Sequence, residues 1–231
     1  MELIYLYHSG FALLGEGYTL VVDYFEDSES ATNGIWHREL LHRPGRLYVL
    51  SSHSHADHFN PEILKWKAER PDVVFVFSRD ICQLKGLAGV EVYGDALLRV
   101  RAFGSTDIGI SFLMEMEGKK VFHAGDLNNW HWMDESEESE WRGYERHFLQ
   151  ELAILSAAVE RLDVVMFPVD PRLGREYMRG PRQFIGQIPT GKFVPMHFDE
   201  AYDLANAFEK DCRAHGTVFL GITRRGQRMI I

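Results

Sequence analysis

Leu47-Tyr48-Val49-Leu50-Ser51-Ser52-His53-Ser54-His55-Ala56-Asp57-His58-Phe59-Asn60-Pro61 runs from a short apolar stretch straight into four side chains of metal-ligating type. The run Arg46 to Ser51, entered from Pro44-Gly45, has the length of a buried strand rather than a helix. Beyond the histidines, Asn60-Pro61 offers an N-cap and a first-turn proline for a helix reaching Glu69, which Pro71 stops. The cluster is therefore a loop at the end of a strand, where functional side chains are commonly carried. In an extended stretch His53 and His55 face the same way, and a following turn can aim Asp57 and His58 at a neighbouring position. Two adjacent metal positions follow as a geometric expectation.

Upstream of that loop the chain reads as strands at Glu2 to Tyr7, Phe11 to Leu14 and Tyr18 to Tyr24, with Gly15-Glu16-Gly17 as a turn. Downstream, strands are expected at Asp72 to Phe77, Glu91 to Tyr93, Leu97 to Phe103, Ile110 to Glu117 and Lys120 to His123, with a helix over Arg79 to Leu87. From Glu137 to Arg161, Trp141, Tyr144, Phe148, Leu152, Leu155 and Val159 recur at three- and four-residue steps, the pattern of an amphipathic helix. The acidic block Asp134 to Glu140 just before it suits the first turn of that helix, where negative charge complements the dipole, with an interaction tail as the other reading. Buried strands at Asp163 to Phe167 and Lys192 to Met196, a helix over Glu200 to His215, and strands at Thr217 to Gly221 and Gln227 to Ile231 close the chain. Strands and helices mixed without strict alternation predict two sheets covered by helices, in one domain over residues 1–231.

Composition narrows the function. The chain has 231 residues, 45% hydrophobic and 26% charged, which excludes disorder and fibrous repeats. A formal net charge of -9 argues against a nucleic-acid partner, whose binding would rest on phosphate neutralisation, and favours a small-molecule substrate. Two cysteines, Cys82 and Cys212, stand in no metal or disulfide pattern, and this points to free thiols and a reducing, cytoplasmic home. No basic leader and no long apolar run is seen, so neither a signal peptide nor a membrane partner is expected. The oligomeric state is left open.

The run His53 to His58 has the form H-x-H-x-D-H and resembles the signature of the metallo-β-lactamase superfamily. The resemblance extends to Asp23 in Leu20-Val21-Val22-Asp23, to Asp126 in His123-Ala124-Gly125-Asp126 and to His197 in Pro195-Met196-His197-Phe198. It implies an α+β fold, the four-layer αββα sandwich. It also implies metal ligation by His53, His55, Asp57, His58, Asp126 and His197, with Asp126 shared between two positions. The lead-in Tyr7-His8-Ser9-Gly10-Phe11 and the compact length are most similar to the branch containing ascorbate phosphate lactonases. One departure stands out: the family carries a further histidine where this chain reads Phe103-Gly104-Ser105-Thr106-Asp107, with Ser105 at the corresponding place. One metal position is then expected to be the weaker, with Ser105, Asp107, His8 or His123 as candidates to complete it. His123 is a ligand or a buried histidine that holds the loop.

These residues predict a metal-dependent hydrolase that presents metal-bound hydroxide to a small ester, lactone, amide or phosphoester, with Asp57 or Asp126 orienting it and carrying its proton. Zinc, one or two ions, is the expected cofactor, with Mn²⁺ and Fe²⁺ as alternatives because carboxylate makes the first position harder. Arg172, Arg175, Arg179 and Arg182 lie on one segment of an acidic chain and read either as an anion-binding loop or as surface ion pairs. Trp130 and Trp132 read either as a substrate wall or as cover for the sheet. A phosphodiesterase or nuclease and a noncatalytic metal-binding sensor are the alternative functions.

Overall fold

The computed structural model describes residues 1–29, 33–85 and 92–231. Thirteen strands form two mixed sheets among these residues. The first sheet holds β1 (Glu2–Tyr7), β2 (Gly10–Gly15), β3 (Tyr18–Val22), β4 (Arg46–Ser51), β5 (Val74–Phe77) and β13 (Arg228–Ile230), in the order β13-β1-β2-β3-β4-β5. The second holds β6 (Val92–Gly94), β7 (Arg99–Phe103), β8 (Ser111–Met116), β9 (Lys119–His123), β10 (Leu162–Pro168), β11 (Thr190–Met196) and β12 (Val218–Phe219), in the order β12-β11-β10-β9-β8-β7-β6. In each sheet a hairpin-built antiparallel half meets a parallel half, with β3, β4 and β5 parallel in the first and β9, β10, β11 and β12 parallel in the second.

Alternation along the strands sorts the core into layers. Leu3, Tyr5, Leu13, Leu20 and Tyr48 join Val100, Phe112, Met114 and Val121 of the second sheet in one buried cluster. Ile4, Leu6, Val21 and Val49, one residue out of phase, pack on the opposite face against Trp36, Ile63, Trp66 and Ile81. Over the second sheet lie α3 (Glu138–Ala158) and α4 (Arg179–Gln187); Phe148 sits 6.3 Å from Phe167, and Phe184 sits 4.6 Å from Phe167 and 5.6 Å from Phe122, centroid to centroid. Helix, sheet, sheet, helix is the αββα arrangement that the resemblance implies.

The remaining elements differ from expectation in instructive ways. Asn60 caps as predicted, its side chain accepting from the Glu62 N–H at 3.0 Å, but Pro61–Lys65 winds as a 3₁₀ helix before α1 (Trp66–Glu69). The expected last helix is divided into α5 (Tyr202–Asn206) and α6 (Glu209–Ala214). Helix α2 covers Arg79–Lys85; its expected extension to Leu87, and Glu91 at the start of β6, lie outside the described residues. Three elements are not legible in the sequence pattern: a π-helical turn at Trp36–Leu40, whose first N–H groups donate to Asp27, a 3₁₀ helix at Pro171–Glu176, and α4 itself. Cys82 and Cys212 are buried free thiols. No helix among the described residues is long and apolar enough to cross a membrane.

Candidate metal centre

The ends of β1, β3, β4, β9, β10 and β11 open at one edge of the two sheets, and each delivers polar side chains there: His8, Asp23, the His53–His58 loop, Asp126, Asp170 and His197. Several of these turns are backbone-strained. His8 (φ 55°), Asp23 (φ 48°), His197 (φ 62°) and Asp199 (φ 50°) all occupy the left-handed region, each at a cost of about 1 kcal/mol. Gly125 (φ 53°) precedes Asp126, and a Cβ there would lie 2.7 Å from the Ile110 carbonyl oxygen, so the Gly-Asp pair is a steric requirement.

Two groups of ligand atoms result, each with its members within 4.8 Å of one another: His8, Asp57, His58 and His197, and beside it His53, His55, Asp107 and Asp126. The three histidines of the first group are buried, and Asp57 is partly exposed. His58 Nδ1 lies 2.7 Å from Asp23 Oδ2, His197 Nδ1 2.9 Å from Asp170 Oδ2, and His8 Nδ1 2.9 Å from Asp199 Oδ1. An ionised carboxylate only accepts, so each carboxylate draws an Nδ1 proton toward itself and the ring turns its Nε2 inward. Those three Nε2 atoms and Asp126 Oδ1 are buried without hydrogen-bond partners. Asp126 Oδ1 lies 3.0 Å from His58 Nε2 and 3.3 Å from His197 Nε2, close but not aligned as hydrogen bonds. Unpaired buried polar atoms converging on one point are costly unless a cation joins them.

The second group is half open to solvent. Ser52 Oγ donates to Asp23 at 2.7 Å and accepts from His53 Nδ1 at 3.0 Å, which turns His53 Nε2 toward Asp126 Oδ2 at 3.3 Å. His55 Nδ1 lies 3.1 Å from His53 Nε2 and 3.6 Å from Asp107 Oδ2. Asp107, not Ser105, therefore faces this position. The reason is the loop: Gly109 (φ 83°) presses against Ser52 and His53, where a Cβ would come within 2.2 Å of a carbonyl oxygen, and the Thr106 hydroxyl donates to the Asn128 carbonyl at 2.6 Å. His123 is no ligand here, since its Nδ1 accepts from the Gly125 N–H at 3.1 Å and its Nε2 donates to the Ser9 carbonyl at 2.8 Å.

Charge follows the same geometry. Burial alone would raise the Asp126 pKa, but His58 and His197 outweigh it and hold it well below the carboxylate range. Burial would lower His58, yet Asp126 and Asp23 hold it well above the ordinary imidazole value. At Asp170 burial is likewise outweighed, by hydrogen bonds from His197 and Arg172, giving about 2.

All six sequence-assigned ligands, His53, His55, Asp57, His58, Asp126 and His197, meet at this centre, and His8 and Asp107 join them. A cleft of about 390 Å³ opens above, lined by Asp57 and His197 of the first group, by His55, Asp107 and Asp126 of the second, and by Thr106, Trp130, Trp132, Tyr144 and Arg172. Trp130 is pinned by Nε1 donating to the Asp126 carbonyl at 2.8 Å, and its ring lies 5.3 Å from His197. Of the four arginines singled out, Arg172 lines the cleft, held by Asp170. Arg175 pairs with Asp134 at 3.2 Å, Arg179 with Glu145 at 2.6 Å and Arg182 with Asp211 at 2.7 Å, none of them in the cleft lining. The expected loop is there in part a helix, α4, which carries Arg179 and Arg182 away on its surface.

Comparison with known proteins agrees with this architecture. The chain is similar in structure to Igni18, a metallo hydrolase from Ignicoccus hospitalis, at a TM-score of 0.67 and 18% identity over 99% of this chain and 97% of that one. CmlA, a diiron β-hydroxylase from Streptomyces venezuelae, gives 0.64 and 15% over 100% of this chain but 54% of its own. YhfI, a metallo-β-lactamase fold protein from Bacillus subtilis, gives 0.64 and 11% over 99% and 98%. The family model described as the beta-lactamase superfamily domain matches residues 2–142, more than half of the chain. The chain belongs to the metallo-β-lactamase superfamily.

Proposed function

We propose that the protein is a metal-dependent hydrolase acting on a small anionic ester, lactone or phosphoester. The observation that carries this reading is the convergence of inward-facing, unpartnered Nε2 and Oδ1 atoms beneath an open cleft. His53, His55, Asp107 and Asp126 would hold one divalent cation and His58, His197, Asp57 and Asp126 a second. Zinc suits the imidazole-rich group, and manganese or iron suits the group with two carboxylates. Bound there, such cations supply Lewis acidity and lower the pKa of water toward ~7.

The chain's own residues do the rest. Asp57 lines the cleft and is held ionised because His8, His58 and His197 outweigh its burial, so it is placed to accept a proton from attacking water. Arg172 offers its guanidinium to a substrate carboxylate or phosphate, anchored by Asp170. Trp130, Trp132 and Tyr144 form an aromatic wall for the body of the substrate and thin the water around it. The lactonase branch is supported by the lead-in Tyr7-His8-Ser9-Gly10-Phe11, and the net charge of -9 favours small substrates over polynucleotides. The test is a screen of lactones, phosphodiesters and thioesters on protein of measured metal content, loaded in turn with zinc and manganese. Turnover that rises with metal content and disappears on chelation is expected; no turnover at full loading would reject the hydrolase.

A second reading, oxidation at an iron pair, is favoured by Asp107 and Asp126 facing His53 and His55, a carboxylate-rich set of the kind that suits non-haem iron. An iron-loaded arm of the same screen, followed by oxygen consumption, separates the two.

A further inference from the structure

We infer that His8 is itself a ligand of the buried metal position, a donor beside Asp57, His58, His197 and Asp126 that Asp199 orients. This rests on the reading above that the centre holds metal. His8 ends β1 on the first sheet, while His197 ends β11 on the second, and the two are joined directly: the His197 N–H donates to the His8 carbonyl at 3.1 Å. The imidazole rings lie 4.1 Å apart, and the His8 ring is 5.9 Å from that of His58.

The orientation of the ring is what decides its role. Asp199 takes the Nδ1 proton at 2.9 Å, so His8 Nε2 presents a lone pair, buried and without a hydrogen-bond partner, 3.4 Å from Asp57 Oδ2. Two acceptors facing each other in a buried site repel unless positive charge stands between them. A proton shared by His8 and Asp57 would draw the pair to about 2.7–2.9 Å, the usual length of a charge-assisted bond. A proton on each of the three Nε2 atoms would instead place three imidazolium rings in contact. One cation, taking the place of any Nε2 proton, would join all three Nε2 atoms at once. The same construction, a carboxylate behind Nδ1 and a free Nε2 in front, is repeated at His58 with Asp23 and at His197 with Asp170. His8 is held in the left-handed region to make it (φ 55°), strain that a residue merely filling space would not need.

The test uses full-length protein, Zn²⁺ in competition with a chromophoric chelator, and the visible spectrum of the Co²⁺-loaded form. His8→Asn tolerates the left-handed backbone but is too short to reach, and Asp199→Asn changes an exposed side chain that leaves the ring in place. The expected result is that wild type binds two ions. In His8→Asn the tighter affinity falls by at least about 100-fold with an altered Co²⁺ spectrum, and in Asp199→Asn by about 10–100-fold. The weaker site should stay within about twofold. His8→Asn protein with two ions at wild-type affinity and an unchanged spectrum would overturn the assignment and leave the hydrolase reading standing. Wild-type protein that binds no Zn²⁺ would overturn both.

Discussion

The two halves of the centre share ligand types but differ in depth. At the buried position His58 is fully inaccessible and His8 and His197 are 4% exposed, and each ring is backed by its own carboxylate. At the other, His55 is 49% exposed and Asp107 42%, and His53 is backed by a serine hydroxyl. A carboxylate behind an imidazole fixes its tautomer and raises its basicity, so the buried half is built for retention. Fewer fixed donors and an open side facing the cleft build the other half for access. The difference suggests a division of labour between holding and reacting within one constellation.

The largest way to break the comparison is to remove what the halves share. Asp126→Ala deletes the carboxylate that reaches both His58 and His53, and metal analysis should show both ions lost and hydrolysis reduced by about 10³-fold or more. Retention of one full equivalent would show that Asp126 is not shared. Next in size is the asymmetry itself. His58→Ala should weaken the tighter equivalent by about 100-fold, whereas His55→Ala should affect the more easily chelated one; equal losses would erase the distinction. Arg172→Ala should raise KM for anionic substrates about tenfold with kcat little changed, while Arg175→Ala, paired with Asp134 and outside the cleft lining, should stay within about twofold. Identical behaviour of the two variants would remove Arg172 from substrate binding.

How far the sequence reaches is visible in the same residues. The strand-end loop His53–His58 is legible as ligand types after an apolar run, and Asp126 and His197 through the resemblance to the metallo-β-lactamase superfamily, each following a predicted strand. Asp107 is not, since the choice between it and Ser105 is made by Gly109 at φ 83° and by the Thr106 latch, tertiary contacts with no local signature. His8 reads from the sequence as a candidate for the weaker position, but it lies in the more buried group, because the pairing of β1's end with β11's end crosses between sheets. Helix α4 was hidden by Gly180-Pro181, which reads as a break; in the first turn, where N–H groups lack helical partners anyway, proline is tolerated.

Smaller effects sharpen the contrast. Asp107→His should shift selectivity several-fold from manganese toward zinc, and Ser105→His should leave it unchanged, as read by competitive loading. A reversed pattern would restore Ser105 to the metal position. The pH dependence of stability follows from His58. Its pKa is raised in the folded chain, so the stabilisation is full below the unfolded value of 6.5 and is lost progressively as pH rises toward the folded value. His8 and His123 are lowered and their contribution is complete above pH ~7. Chelated protein should therefore melt a few degrees lower at pH 9 than at pH 7, and metal-loaded protein should not. A chelated Tm that rises over that interval would contradict the charge assignment.

The most direct measurement is a crystal structure of the zinc-loaded protein with anomalous diffraction collected across the zinc edge, before and after brief soaking in chelator. Two adjacent peaks are predicted, one among His8, His58, His197 and Asp57 that survives the soak and one among His53, His55 and Asp107 that fades. A single peak at His53 and His55, or survival of that peak in preference to the buried one, would contradict the account.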